Sequence, residues 1–128
     1  MSQATRLKPC RRSPNCVTSR TPRSAKQRID PLPFDGPAMD AWDRIKALVA
    51  ALPRTEIVEQ EATPGEGFYL RAEVRSALLR FVDDLELEIL PGEQAIHFRS
   101  ASRTGYSDLG VNRKRLAGLA RAFTDGNS

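Results

Sequence analysis

The residues with the most chemistry to offer lie in one stretch, RSASRTGYSDLGVNRKR, from Arg99 to Arg115. It reads as a strand, a break at Gly105 and the opening of a helix. The first N–H groups of a helix have no internal partner and carry partial positive charge. Flanked by Arg103, Arg113 and Arg115, such a junction suits a phosphate or a carboxylate. The binding residues it offers are Arg99, Ser100, Ser102, Arg103, Gly105, Asp108, Asn112 and Arg113. Asp108 works against an anion there, and the spacing matches no phosphate-loop or dinucleotide fingerprint.

Asp83 is the second candidate. Strand alternation puts it on an apolar face, where a bare carboxylate is very costly. One reading makes it an internal staple, with Ser100 and Ser102 as hydroxyl donors, because buried polar groups are usually satisfied within the structure. The other makes it the acid of an enzyme, which requires Asp83 to be solvent-accessible. No catalytic residue is assigned beyond this candidate. Asp84 points to the opposite face of the same strand, so the two do not form an acid/base pair. His97 is the single histidine. It falls on the wet face opposite Glu88 and reads as a surface residue. No Ser/His/Asp or Cys/His set assembles from the sequence. Cys10 and Cys16 sit in CRRSPNC with five residues between them, unlike the two-residue spacing typical of zinc and thioredoxin motifs. They would be free thiols in the cytosol and would close a small loop in an oxidising compartment. Lys8, Arg11 and Arg12 favour a thiolate, which leaves a redox role open. No metal site and no cofactor is expected.

The elements that must position these residues are legible from periodicity. Asp35-Gly36-Pro37 reads as a capped helix start. Ala38, Trp42, Ile45, Leu48, Val49 and Leu52 then recur at helical spacing until Pro53. Four strand-like runs follow, over 55–61, 67–75, 79–90 and 94–102. Phe68, Leu70, Ala72 and Val74 alternate with Tyr69, Arg71, Glu73 and Arg75. Leu85, Leu87 and Ile89 alternate with Asp84, Glu86 and Glu88. This is the pattern of an antiparallel sheet with one wet face. A two-residue turn at Gly92-Glu93 sets a register in which Ile89 meets Ile96, Leu87 meets Phe98, Glu86 meets Arg99 and Asp83 meets Ser102. A last helix starts after Ser107 or Asp108, with Leu109, Leu116, Leu119, Ala120 and Phe123 as its stripe. The expected fold is α+β: a four-stranded antiparallel sheet with an N-terminal and a C-terminal helix on one face.

The chain has 128 residues, enough for one small core. With 40% apolar and 28% charged residues it has the composition of an ordinary globular domain, and no apolar run is long enough to span a membrane. Residues 1–30 carry eight Lys/Arg and one acid, net +7, while residues 31–128 carry 12 basic and 15 acidic side chains, net −3. Residues 1–33 therefore read as a basic, Cys-containing, largely irregular arm, 34–124 as one domain, and 125–128 as a disordered tail. The arm has no aromatic residue on which bases could stack, so nucleic acid is not the favoured partner. Neither a secretory signal nor a twin-arginine signal is recognisable, and the expected location is the cytoplasm.

Three stretches carry a family resemblance: LKPCRRSPNCVTS, FVDDLELEI and RSASRTGYSDLGVNRKR. Together they resemble a bacterial and plastid family known only as domain of unknown function 1499, from Leu7 to about Leu119. Cys10, Pro14-Asn15 and Cys16 are similar to the family's opening, although Arg11-Arg12 stand where relatives often have Pro-Asp. Many relatives look membrane-anchored or exported. The resemblance implies no activity. It does imply that the cysteine loop and the junction belong together, with the arm folded back near the junction.

The leading expectation is a non-catalytic module that binds an anionic small molecule or a protein partner at the junction. The alternatives are an enzyme using Asp83 and a thiol redox role for Cys10 and Cys16.

Overall fold

The computed structural model describes residues 5–11, 14–77, 81–105 and 110–126. Its elements, in chain order, are β1 (Cys16–Thr18), a 3-10 turn (Ala25–Gln27), β2 (Leu32–Pro33), α1 (Ala38–Ala50), β3 (Thr55–Thr63), β4 (Gly67–Arg75), β5 (Val82–Ile89), β6 (Ala95–Ser102) and α2 (Val111–Asp125). This is an α+β fold with two helices and an antiparallel sheet. The sheet has six strands rather than the expected four, in the order β1-β6-β5-β4-β3 with β2 also paired to β6.

The two additional strands come from the N-terminal arm. β1 runs antiparallel to β6 at Arg99–Ala101, and β2 does so at Ala95–Ile96. Between them Ser19 N–H donates to Phe98 O, and Ile29 N–H donates to Thr18 O. Strands of three and two residues are too short to show alternation. They form because the outer edge of β6 would otherwise present unpaired backbone groups.

The long strands follow the expected register. Asp83 pairs with Ser102, Leu85 with Ser100, Leu87 with Phe98 and Glu88 with His97. The hairpin turn differs. Glu93 N–H donates to Leu90 O at 3.2 Å, so Pro91-Gly92 occupy the centre of the turn instead of Gly92-Glu93. Proline followed by a glycine at φ +83° fits a type II turn. Helix α1 starts at Ala38 without the expected side-chain cap. Gly110, at φ +81°, precedes α2, and the expected caps Ser107 and Asp108 lie outside the described residues.

Both helices cover one face of the sheet. Trp42, Ile45 and Val49 of α1 and Leu116, Leu119 and Phe123 of α2 pack on Phe68, Leu70, Leu85, Leu87, Ile96 and Phe98. Trp42 stacks on Phe68 with ring centroids 5.0 Å apart. Val17 and Leu32 of the arm join this core. None of the helices described is long and apolar enough to cross a membrane.

Candidate functional site

The junction residues divide between the two faces of the sheet, because alternate side chains of a strand point opposite ways. On the helix side Asn112, fully buried, is the hub. Its Nδ2 donates to Ser102 Oγ at 3.0 Å and to Asn15 O at 3.2 Å. Its Oδ1 accepts from Ser100 Oγ at 2.6 Å and from Arg115 Nη1 at 2.9 Å. The arm reaches this hub through Asn15, whose O also accepts from Ser102 N–H and whose Nδ2 donates to Gly105 O at 2.6 Å. Asp83 is held by Arg115 at 2.9 Å, with only 13% of its side chain exposed. The staple anticipated at Asp83 therefore has Arg115 as its cation, while the Ser100 proton goes to Asn112. The enzyme reading needs an accessible Asp83, and here its side chain is largely covered and paired with Arg115.

Arg113 donates to the carbonyls of Lys26 and Arg28, which ties the 3-10 segment to α2. With Arg115 on Asp83 and Arg103 on the opposite face, the three arginines expected to flank the helix start each have an internal partner. Asp108 lies outside the described residues.

The face expected to be wet is covered. Glu86 and Glu88 are each 1% exposed. Thr5 and Arg6 of the arm lie over Glu88. Thr5 Oγ1 bonds Glu88, Arg6 N–H donates to Glu88 Oε2 at 2.9 Å, and the Arg6 guanidinium stacks 4.1 Å above the Tyr69 ring. Arg20 completes Glu88 at 3.1 Å and reaches Glu93 at 2.9 Å. Glu86 accepts from Tyr69 Oη at 2.7 Å and from Arg99 Nη1 at 3.2 Å. Burial, then the Glu86 hydrogen bond, hold the Tyr69 hydroxyl protonated well above its usual range. Arg103 pairs with Asp84 and Glu73, each at 2.8 Å. Burial pushes the Asp84 carboxyl up, but the hydrogen bonds and charge of Arg103, with those of Arg71, outweigh it and hold Asp84 below its usual range.

A disulfide joins Cys10 to Cys16 and packs against Ala101 on this face. Gln27, 2% exposed, organises the segment around it, accepting from Arg23 N–H and donating to Arg11 O, while Arg23 Nε donates to Cys10 O. Between this closed loop and the sheet lies a cleft of about 960 Å³. Among the described residues six cations border it: Lys8, Arg11 and Arg23 from the arm, and Arg71, Arg99 and Arg103 from the sheet. Among the same residues three carboxylates face them, Glu59, Asp84 and Glu86. Of the expected binding residues, Arg99, Ser102, Arg103 and Gly105 border this cleft, and Ser100, Asn112 and Arg113 do not. Composition signalled the arm's charge, but no local pattern signalled Lys8, Arg23 or Arg71 as cleft residues.

His97 is buried instead of lying on the surface. Its Nδ1 is 3.0 Å from Ser19 Oγ and its Nε2 is 3.1 Å from Glu93 Oε1. Burial and the nearby Arg20 charge depress its pKa, with Glu93 only partly compensating. The trio has the connectivity of a nucleophile, base and carboxylate, which the sequence did not suggest. However, Ser19 Oγ also accepts from Phe98 N–H at 3.0 Å, and none of the three borders the cleft. The trio pins the end of β1 to β6.

Residues 6–123 match the family described as protein of unknown function DUF1499, and the chain belongs to that family. Neither a curated protein nor a solved structure is similar to the chain.

Proposed function

For this member of a family without an assigned activity, we propose a non-catalytic binding module whose cleft takes an anionic small molecule. The supporting observation is the imbalance around the cleft, six cations against three carboxylates among the described residues, in a space large enough for a metabolite. The sheet side does not create the excess. Its arginines are largely spent on Glu59, Glu73, Asp84 and Glu86. The arm supplies it, since no ion pair or hydrogen bond engages the side chains of Lys8 and Arg11 among the described residues. Partly enclosed walls of low dielectric strengthen the field such charges create. No cofactor is called for.

The disulfide holds the arm's wall in place. Disulfides persist in oxidising compartments, so the cleft is complete there, and the cytoplasmic expectation competes with this. Thiol trapping in intact cells separates the two locations. A thiol-exchange role has weaker support, because Cys10 and Cys16 are 1% and 2% exposed and exchange needs access.

The test is a thermal-shift titration of the full chain with citrate and inorganic phosphate against a chloride control at equal ionic strength. A rise in Tm specific to the oxyanions, reduced in Lys8→Ala/Arg11→Ala, supports the module. No specific rise with either oxyanion overturns it.

A further inference from the structure

We propose that Arg99 is the anchor of the cleft, and that it takes an oxyanion side-on along its Nε edge. This rests on the cleft being an anion site. Three arginines form its sheet wall, and they differ in one respect. Arg71 Nε donates to Glu59 at 3.0 Å, and Arg103 Nε donates to Asp84 at 2.8 Å. Arg99 Nε is buried and has no partner among the described residues.

The neighbouring carboxylates cannot easily serve it. Glu86 Oε1 is taken by Arg99 Nη1 and Glu86 Oε2 by the Tyr69 hydroxyl. Asp84, two pairs further along β5 on the same face, is shared by Arg71 and Arg103. The backbone beside Arg99 is occupied as well, since β1 pairs there through Thr18. A buried guanidinium N–H without an acceptor is costly, and native structures rarely keep one without a reason. Arg99 borders the cleft, with 11% of its side chain exposed.

The chemistry of the missing acceptor follows from guanidinium geometry. Nε–H and the adjacent terminal nitrogen form a planar fork that matches two oxygens of one carboxylate or one phosphate. With Nη1 on Glu86, that fork is the edge left to use. Nε is covered, so docking requires a turn of the guanidinium toward the cleft, pivoting on the Glu86 bond. The unpaired Lys8 and Arg11 then supply attraction from the arm without fixing orientation. Arg99 sets which anions fit, and the arm sets how strongly they are drawn in.

Calorimetric titration of the full chain with inorganic phosphate and, separately, with succinate tests this. The two arms report which oxyanion the fork prefers. Arg99→Lys keeps the charge and loses the fork, and Arg121→Lys, exposed on α2 and outside the cleft lining, is the charge-conserving control. The expected result is at least a tenfold loss of affinity in Arg99→Lys, with the control within twofold of wild type. In the wild type, the Arg99 Nε–H resonance shifts on saturation while those of Arg71 and Arg103 move little. This readout needs no variant to fold. Oxyanion binding with an unmoved Arg99 Nε–H signal overturns the Arg99 assignment and leaves the cleft standing. No binding of either probe by the wild type overturns both.

Discussion

The two faces of the central sheet are held by different means. The helix-covered face is a continuous apolar surface, and strand and helix periodicity alone identify nearly all its members. The opposite face is a lattice of charges in which Glu86 and Glu88 are as deeply buried as core leucines. There the arm supplies part of the cover, and Glu86, Glu88 and Asp84 are each held by two or three named partners. Alternation assigns a residue to a face, but whether that face is wet depends on what else the chain lays over it. Apolar burial is non-directional and tolerates local error. A buried carboxylate survives only where its partners are placed within hydrogen-bond reach.

The largest expected effect is on the apolar face. Phe98→Ala or Leu87→Ala, both at fully buried positions, should cost about 3–5 kcal/mol in urea unfolding. A loss under about 1 kcal/mol would mean that the core tolerates cavities and that the comparison is drawn wrongly.

Glu86→Ala sharpens the contrast. If the face were wet, the cost would be within about 0.5 kcal/mol. With Arg99 and Tyr69 left facing a lost acceptor, a cost of about 3 kcal/mol is expected.

Removing the arm's tether comes next. Cys10→Ser/Cys16→Ser opens a loop with sequence separation 6, for which chain entropy gives about 2 kcal/mol. A dithiol reductant should shift wild-type Tm by a similar amount and leave the variant unmoved. Equal stability with and without the bond would show that hydrogen bonding alone holds the arm.

The smallest effect is on pH dependence. The folded pKa of His97 lies below its ordinary value of 6.5, from burial and then Arg20. Below that pH the unfolded chain binds the proton more readily. Stability is therefore whole above about pH 6.5 and falls as pH is lowered, by at most about 1.4 kcal/mol per unit. Asp84, Glu93 and Glu73 are also lowered, against burial, by arginines, with His97 adding to Glu93. Their contributions have the same sign but are lost only near pH 4 and below, about the ordinary carboxylate range. Tm measured from pH 7.5 to 5.5 should therefore slope in wild type and flatten in His97→Gln. An unchanged slope in the variant would assign it elsewhere.

What could be read from residues alone follows interaction range. Helix α1, strands β3 to β6 and the opposite orientations of Asp83 and Asp84 came from local periodicity, because contacts at fixed spacing repeat along one element, and the β5–β6 register came from the turn between them. The family assignment was legible for the same reason, as contiguous stretches. The partners were not. Arg115 on Asp83, Asn15 on Asn112 and Arg20 on Glu88 are separated by 32, 97 and 68 positions in the chain. Pairings of that kind have no period. β1 and β2 were missed because two or three residues carry no alternation, and they exist only because β6 has an edge to satisfy. The sequence determined the sheet and its apolar face. Only the tertiary structure decided that a basic, proline-rich arm would seal the other face and, with it, border a cleft, because covering buried carboxylates requires cations delivered from distant parts of the chain.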